Sequence, residues 1–124
     1  MERYEEFNVG GVNFIYIDFS GFRTPAEFNS LVEILKPVIA KYSENSLNTI
    51  TNLDNVRMDT DIKDFMTQYM AHNKRYVKYG VVIGIDGIKK IMANTVIKLS
   101  GRKNMFFTFT REQAVQWVLG QQGN

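Results

Sequence analysis

Ser20, Arg23, Asp54, Arg57, Met58, Asp59, Asp86 and Arg111 all fall where hydrophobic runs break, in segments that would follow strands. If those strands are parallel, their C-terminal ends share one edge, where α/β sheets usually take their ligands. Arg23, Arg57 and Arg111 on such an edge could grip an anion, because a planar guanidinium offers paired N–H donors to carboxylate or phosphate oxygens. The plainer alternative, which we favour, is three solvated loop arginines paired with Asp54, Asp59 and Asp86. Asp54, Asp59 and Asp61 are also a conceivable magnesium set, but acids at helix starts are commonplace, and no metal is expected.

Signals for catalysis are poor. His72 is the only histidine and sits in the polar text Ala71-His72-Asn73-Lys74, more in keeping with a solvated side chain than a general base. One histidine and no cysteine leave the common zinc sites without ligands and remove the cysteine nucleophile. Gly80, Gly84 and Gly87 are spaced GxxxGxxG, which matches neither the dinucleotide fingerprint nor the phosphate-binding Walker loop. Ser20-Gly21 lacks the context of a nucleophile elbow. We therefore expect no enzyme, no metal and no cofactor. Phe22, Met58, Phe65, Met66, Met70, Met92 and Met105 are numerous for a small core. Flexible methionines suit a pocket for an apolar guest, although ordinary core packing uses them too.

The elements that would hold these residues centre on Val77–Gly87. From Tyr79 to Ile85 there is almost no polar side chain, so this reads as an interior strand covered on both faces. Gly80 and Gly84 fall on one face with Val82 between them, so something bulky should approach there. Upstream, Glu2–Asn8 is an edge strand joined through Gly10-Gly11 to a firm strand at Val12–Phe19. Thr24-Pro25-Ala26-Glu27 opens a helix with a capping box, and Pro37 should kink or split it near Leu35. Leu47–Leu53 is a strand, polar for an interior one. A helix capped by Asp59 or Thr60 presents Ile62, Phe65, Met66, Tyr69, Met70 and Asn73 inward. In the helix Gly87–Ser100 the inward stripe is Ile88, Ile91, Met92, Thr95, Val96 and Leu99, with Lys89, Lys90, Asn94 and Lys98 in water. Asn104–Phe109 is the last strand, and Thr110 to Gln113 caps a final helix through Leu119. Residues 1–120 form one α/β domain, β-β-α-β-α-β-α-β-α. Its mostly parallel five-stranded sheet has an antiparallel N-terminal hairpin strand and four helices, and 121–124 is a frayed tail.

The 124 residues carry a net charge of only +2, but residues 1–62 sum to −5 and residues 63–124 to +7. A basic face for an anionic partner is one reading. We favour the other, two halves of one fold or a head-to-tail dimer attracting each other. Stacking motifs for nucleic acid are missing, so no nucleic-acid partner is expected. No run approaches the length of a membrane span, and the acidic N-terminal text shows no signal peptide, so a cytoplasmic protein is expected.

Several stretches resemble the STAS domain, the sulfate-transporter and anti-sigma-factor-antagonist family, and within it the divergent SpoIIAA-like bacterial proteins of this length. They are Phe14-Ile15-Tyr16-Ile17-Asp18, the helix text from Phe28 to Lys36-Pro37, Tyr76 through Gly84, Phe106-Phe107-Thr108-Phe109, and Arg111 to Trp117. The resemblance implies parallel strands in sequence order with successive helices on one side. A sheet face holding Gly80, Val82 and Gly84 would then be bare, and a homodimer through it is expected. It also implies a regulatory module acting on a protein partner, with a phosphorylated Ser or Thr after an Asp at a helix start, here Asp59-Thr60. Asp61-Ile62-Lys63 departs from the family's small residue and Gly, and the flanking acids would repel a phosphate, so Thr60 as a helix cap is the preferred reading. The alternative to a protein partner is a small apolar or anionic, lipid-like ligand at the strand C-terminal edge.

Overall fold

The structure, a computed structural model, describes residues 2–122. The elements follow in the expected order: β1 (Tyr4–Val9), β2 (Val12–Asp18), α1 (Pro25–Ile39), β3 (Leu47–Asn52), α2 (Thr60–Asn73), β4 (Val77–Ile83), α3 (Gly87–Ser100), β5 (Met105–Phe107) and α4 (Arg111–Gly120). They form one five-stranded sheet in the order β1-β2-β3-β4-β5. β1 pairs antiparallel with β2, and every later pair is parallel. The hairpin turns on Gly10 and Gly11 at φ +57 and +87, a pair of left-handed residues that glycine adopts without strain.

Sequential parallel strands with right-handed crossovers must carry their connecting helices on one face. Phe28, Leu31, Val32, Leu35 and Ile39 of α1 accordingly pack with Ile62, Met66, Tyr69 and Met70 of α2 and Val96 of α3 over Ile15, Ile17 and Val82. The glycine-bearing side of β4 is this covered side, contrary to the expectation of a bare face. The opposite face is closed by α4, whose Ala114 and Val118 lie on Phe14, Ile50, Val81 and Ile83. α4 is not a crossover between two of the described strands, so the crossover rule does not bind it and it is free to fold across the back. The reason for placing a second subunit on the glycine face is therefore gone.

Three local expectations need correction. Pro37 does not split α1, which runs unbroken to Ile39. The proline lies so near the end that only Val38 and Ile39 follow it, which limits the effect of its missing donor. α2 is capped by Asp59, whose Oδ1 accepts from the Ile62 N–H at 3.0 Å, while Thr60 is the first helical residue and exposed. α3 is rotated from its expected phase. Ala93, Val96 and Ser100 face inward, whereas Ile88, Ile91 and Leu99 stand 78%, 66% and 61% exposed. Apolar residues cover more than half of this helix's circumference, so periodicity leaves its rotation open, and the small Ala93 and Ser100 let α3 lie close with the isoleucines outward.

The caps of α1 and α4 form as expected. The Thr24 hydroxyl accepts from the Glu27 N–H at 3.3 Å, and Glu27 Oε1 accepts in return from the Thr24 N–H at 3.1 Å. Thr24→Ala should therefore cost about 1 kcal/mol, seen as a lower urea midpoint with an unchanged slope. At the other end of the chain α4 finishes at Gly120. Gln121 and Gln122 still donate backbone bonds to Val118 and Leu119, and the rest of the expected frayed tail, Gly123 and Asn124, lies outside the described residues.

Candidate functional site

The residues expected to share the strand C-terminal edge are not brought to one point. Ser20 is held by local bonds, its N–H donating to Asp18 Oδ1 and its carbonyl accepting from Arg3 Nη1, both at 2.8 Å. Arg23 is exposed and makes no side-chain ion pair among the described residues. Arg57 is taken up by Asp59, with Nε to Oδ2 at 2.9 Å, beside Met58 at the start of α2. Arg111 lies on the other side of the sheet. Its guanidinium covers the rings of Phe7 and Tyr16 at 4.7 and 4.5 Å and bonds to Glu5, closing the part of that face that α4 does not reach. Asp54 and Asp86 do come together, in an open groove of about 610 Å³ with Gly84, Lys89 and the exposed Phe109. Asp86 stands at the N-cap of α3, yet its side chain makes no capping bond. Among the described residues no group of three or more His, Cys, Asp or Glu is arranged to hold a metal ion.

A second space has a different character. Between the sheet and α2 and α3 lies an internal chamber of about 40 Å³, measured at the centres of water-sized molecules. A water needs roughly 10–15 Å³ on that measure, so there is room for a few. β2, β3 and β4 supply Ile17, Thr49, Thr51 and Val82 as its floor, and α3 supplies Ala93, Val96 and Ile97. Met58, Met66, Met70 and Met105 make up much of the remaining wall. Gly80 belongs to this architecture, since a Cβ there would run into the Met105 thioether and the Arg102 guanidinium. The bulky neighbour expected at this glycine is thus a pair of side chains of the same chain.

At one end of the chamber stand Tyr69, Asn73 and Arg102, exposed by only 6%, 3% and 8%. Each carries a buried polar atom without a hydrogen-bond partner: Tyr69 Oη, Asn73 Oδ1 and Arg102 Nη2. The fourth such atom among the described residues, Asn48 Oδ1, belongs to a β3 residue that does not line the chamber. Tyr69 and Asn73 are one helical turn apart on α2, and the Asn73 side chain partly offsets the effect of burial on the phenol. Arg102 donates one long bond, Nη1 to the Met70 carbonyl at 3.4 Å, and has no carboxylate partner among the described residues. Burial pulls its guanidinium down to about 10 and pushes the Tyr69 phenol above its ordinary range. Holding this cation indoors forfeits about 3 kcal/mol at neutral pH.

Buried polar groups are nearly always paired, so three residues with orphaned atoms along one apolar chamber set it apart from ordinary core packing. No family model, curated protein or solved structure matches this chain. The chamber therefore has to be judged on its own chemistry. It combines the polar side chains of Tyr69, Asn73 and Arg102 with an adaptable thioether wall. Of the candidate pocket residues Phe22, Met58, Phe65, Met66, Met70, Met92 and Met105, the four methionines Met58, Met66, Met70 and Met105 line the chamber, while Phe22, Phe65 and Met92 do not. Tyr69 and Asn73 face inward as expected. The sequence gives no sign of Arg102, which follows the helix cap Gly101 and looks like one more surface cation. The polar end also lies at the N-terminal edge of the parallel strands, where α2 ends and β4 and β5 begin, opposite the edge expected to bind.

Proposed function

We propose that this protein is a non-catalytic binding module that takes one small, largely apolar molecule into the chamber beneath α2 and α3. The observation that carries this reading is that Tyr69, Asn73 and Arg102, each with a buried polar atom that lacks a partner, all line that one space. Four methionines set its working size, since unbranched thioethers repack around a guest at little cost. Methyl NMR of the methionines during titration with octanoate and with octanol tests the proposal. The Met66, Met70 and Met105 methyls should shift and saturate, and Ala93→Leu, which fills the chamber, should remove the response. Unmoved methyls at millimolar concentrations of both compounds would sink it.

A second reading, a regulatory module that docks on a protein or on a second copy of itself, follows from the STAS resemblance. One observation favours it: Ile88, Ile91 and Leu99 of α3 form an exposed apolar stripe. The exposed Thr60, between Asp59 and Asp61, would be its phosphorylation site. If α3 mediates self-association, wild type should sediment as a dimer at tens of micromolar, and Ile91→Glu should sediment as a monomer of unchanged thermal stability. A monomeric wild type counts against the dimer.

A further inference from the structure

Arg102 stands at the seam between two spaces. It and Val77 line the chamber, and the same two residues line a surface depression of about 260 Å³ at the N-terminal edge of the sheet. Val77 reaches both because the register of β3 and β4 slips between Leu47 and Asn48, pairing Leu47 with Val77 and Asn48 with Tyr79. The extra residue, Lys78, is a bulge of the kind that re-aims a side chain, here turning Val77 toward the helices. The depression is completed by Asn45, Lys74, Lys103 and Asn104. Lys74 Nζ comes within 3.3 Å of where a Cβ on Gly101 would stand, so its ammonium leans over the turn that carries Arg102. Neither Lys74 nor Lys103 makes an ion pair among the described residues, whereas the nearby Arg75 is tied to Glu44. Three cations and no carboxylate line this opening.

A positive mouth, then a buried guanidinium lacking a counter-ion, then a methionine-walled apolar chamber is a sequence of environments complementary to one kind of molecule. We propose that the guest is an anionic amphiphile. Its charged group sits on Arg102 with Lys74 and Lys103 flanking the opening, and its apolar tail lies among Met66, Met70 and Met105. This rests on the ligand-binding reading above and adds the charge of the ligand and the side from which it enters. The charged group supplies acceptors to Arg102 Nη2 and Tyr69 Oη, which are unpaired in the free protein.

Calorimetry on the full chain with octanoate, octanol, octylammonium and inorganic phosphate, at low and high salt, tests the assignment. Octanoate should bind at least about tenfold tighter than octanol, octylammonium should not bind, and phosphate alone should be far weaker than octanoate. Lys74→Ala combined with Lys103→Ala should weaken octanoate several-fold and flatten its salt dependence, leaving octanol unchanged. Arg102→Met should erase the preference of octanoate over octanol. Octanol or octylammonium binding as tightly as octanoate overturns the anionic assignment but leaves the chamber as a binding site. Phosphate matching octanoate overturns the tail's place in the chamber, and binding of none of the four overturns both readings.

Discussion

Arg102→Met is expected to leave the free protein more stable by about 1–3 kcal/mol while removing its preference for anionic ligands. Methionine has similar reach, no charge to desolvate and no donors to satisfy, and it would join the methionines already around the chamber. What is lost is one long bond to the Met70 carbonyl, 3.4 Å in length. The effect has a pH signature. Burial lowers the Arg102 guanidinium to about 10, so below that pH both folded and unfolded chains keep the proton and the penalty is felt in full. Between about 10 and its ordinary, higher value the folded state gives up the proton first, so the unfolded state binds more protons and wild-type stability gains on the variant as pH rises. Urea midpoints of the two proteins at neutral pH and near pH 11 measure this. A variant less stable than wild type at neutral pH would make Arg102 a structural residue and remove the main support for the ligand chamber. Stability given up at a position where binding needs it is the usual mark of a functional residue.

Gly84→Ala should be the most damaging small change in the chain, costing about 3 kcal/mol or more and lowering the melting temperature by roughly 10 °C. Gly84 has φ +84, a left-handed conformation that alanine adopts only with strain. A Cβ would also stand 2.6 Å from Asn52 Oδ1 and 2.7 Å from the Asp54 backbone nitrogen. Those two atoms already bond each other at 2.9 Å in closing the end of β3, and backbone cannot step aside as a side chain can. Gly80→Ala makes the instructive contrast. Its new methyl meets the flexible end of Met105, so its cost should be nearer 1 kcal/mol. The displaced thioether would occupy the chamber, so this variant should lose octanoate affinity out of proportion to its stability. Thermal unfolding and calorimetry on the two variants separate a glycine needed by the fold from one that leaves room for a guest.

How far the chain could be read in advance differs from element to element, and the physics says why. The Gly10-Gly11 hairpin, the capping boxes at Thr24 and Thr110 and the apolar run from Tyr79 to Ile83 within β4 depend on neighbours a few residues apart, so their text specifies their geometry. Alternation of strands with helices then leaves little choice of topology, because right-handed crossovers wind α1 to α3 onto one face. Local reading fails where the choice is between two faces of equal propensity. α3 carries apolar residues on both flanks, and its rotation is decided by what packs beneath it. α4 connects no two of the described strands, and its stripe closes the back of the sheet because Phe14, Ile50, Val81 and Ile83 lie there.

The site follows the same division. Spacing along α2 puts Met66, Tyr69, Met70 and Asn73 on one side of that helix, and all four are buried. Nothing in the text distinguishes Arg102 from the other nine bases of residues 63–124, and nothing separates Arg111 from Arg57 as partners for an anion. Charge and shape are identical in the string. What differs is solvent. Folding carries Arg102 under α2 beside a chamber with no carboxylate, sets Arg57 on Asp59, and lays Arg111 across Phe7 and Tyr16 on the far side of the sheet. Desolvation and the supply of partners are properties of the packed chain, brought about by residues distant in sequence, and they turn one of several similar arginines into a buried cation without a counter-ion among the described residues.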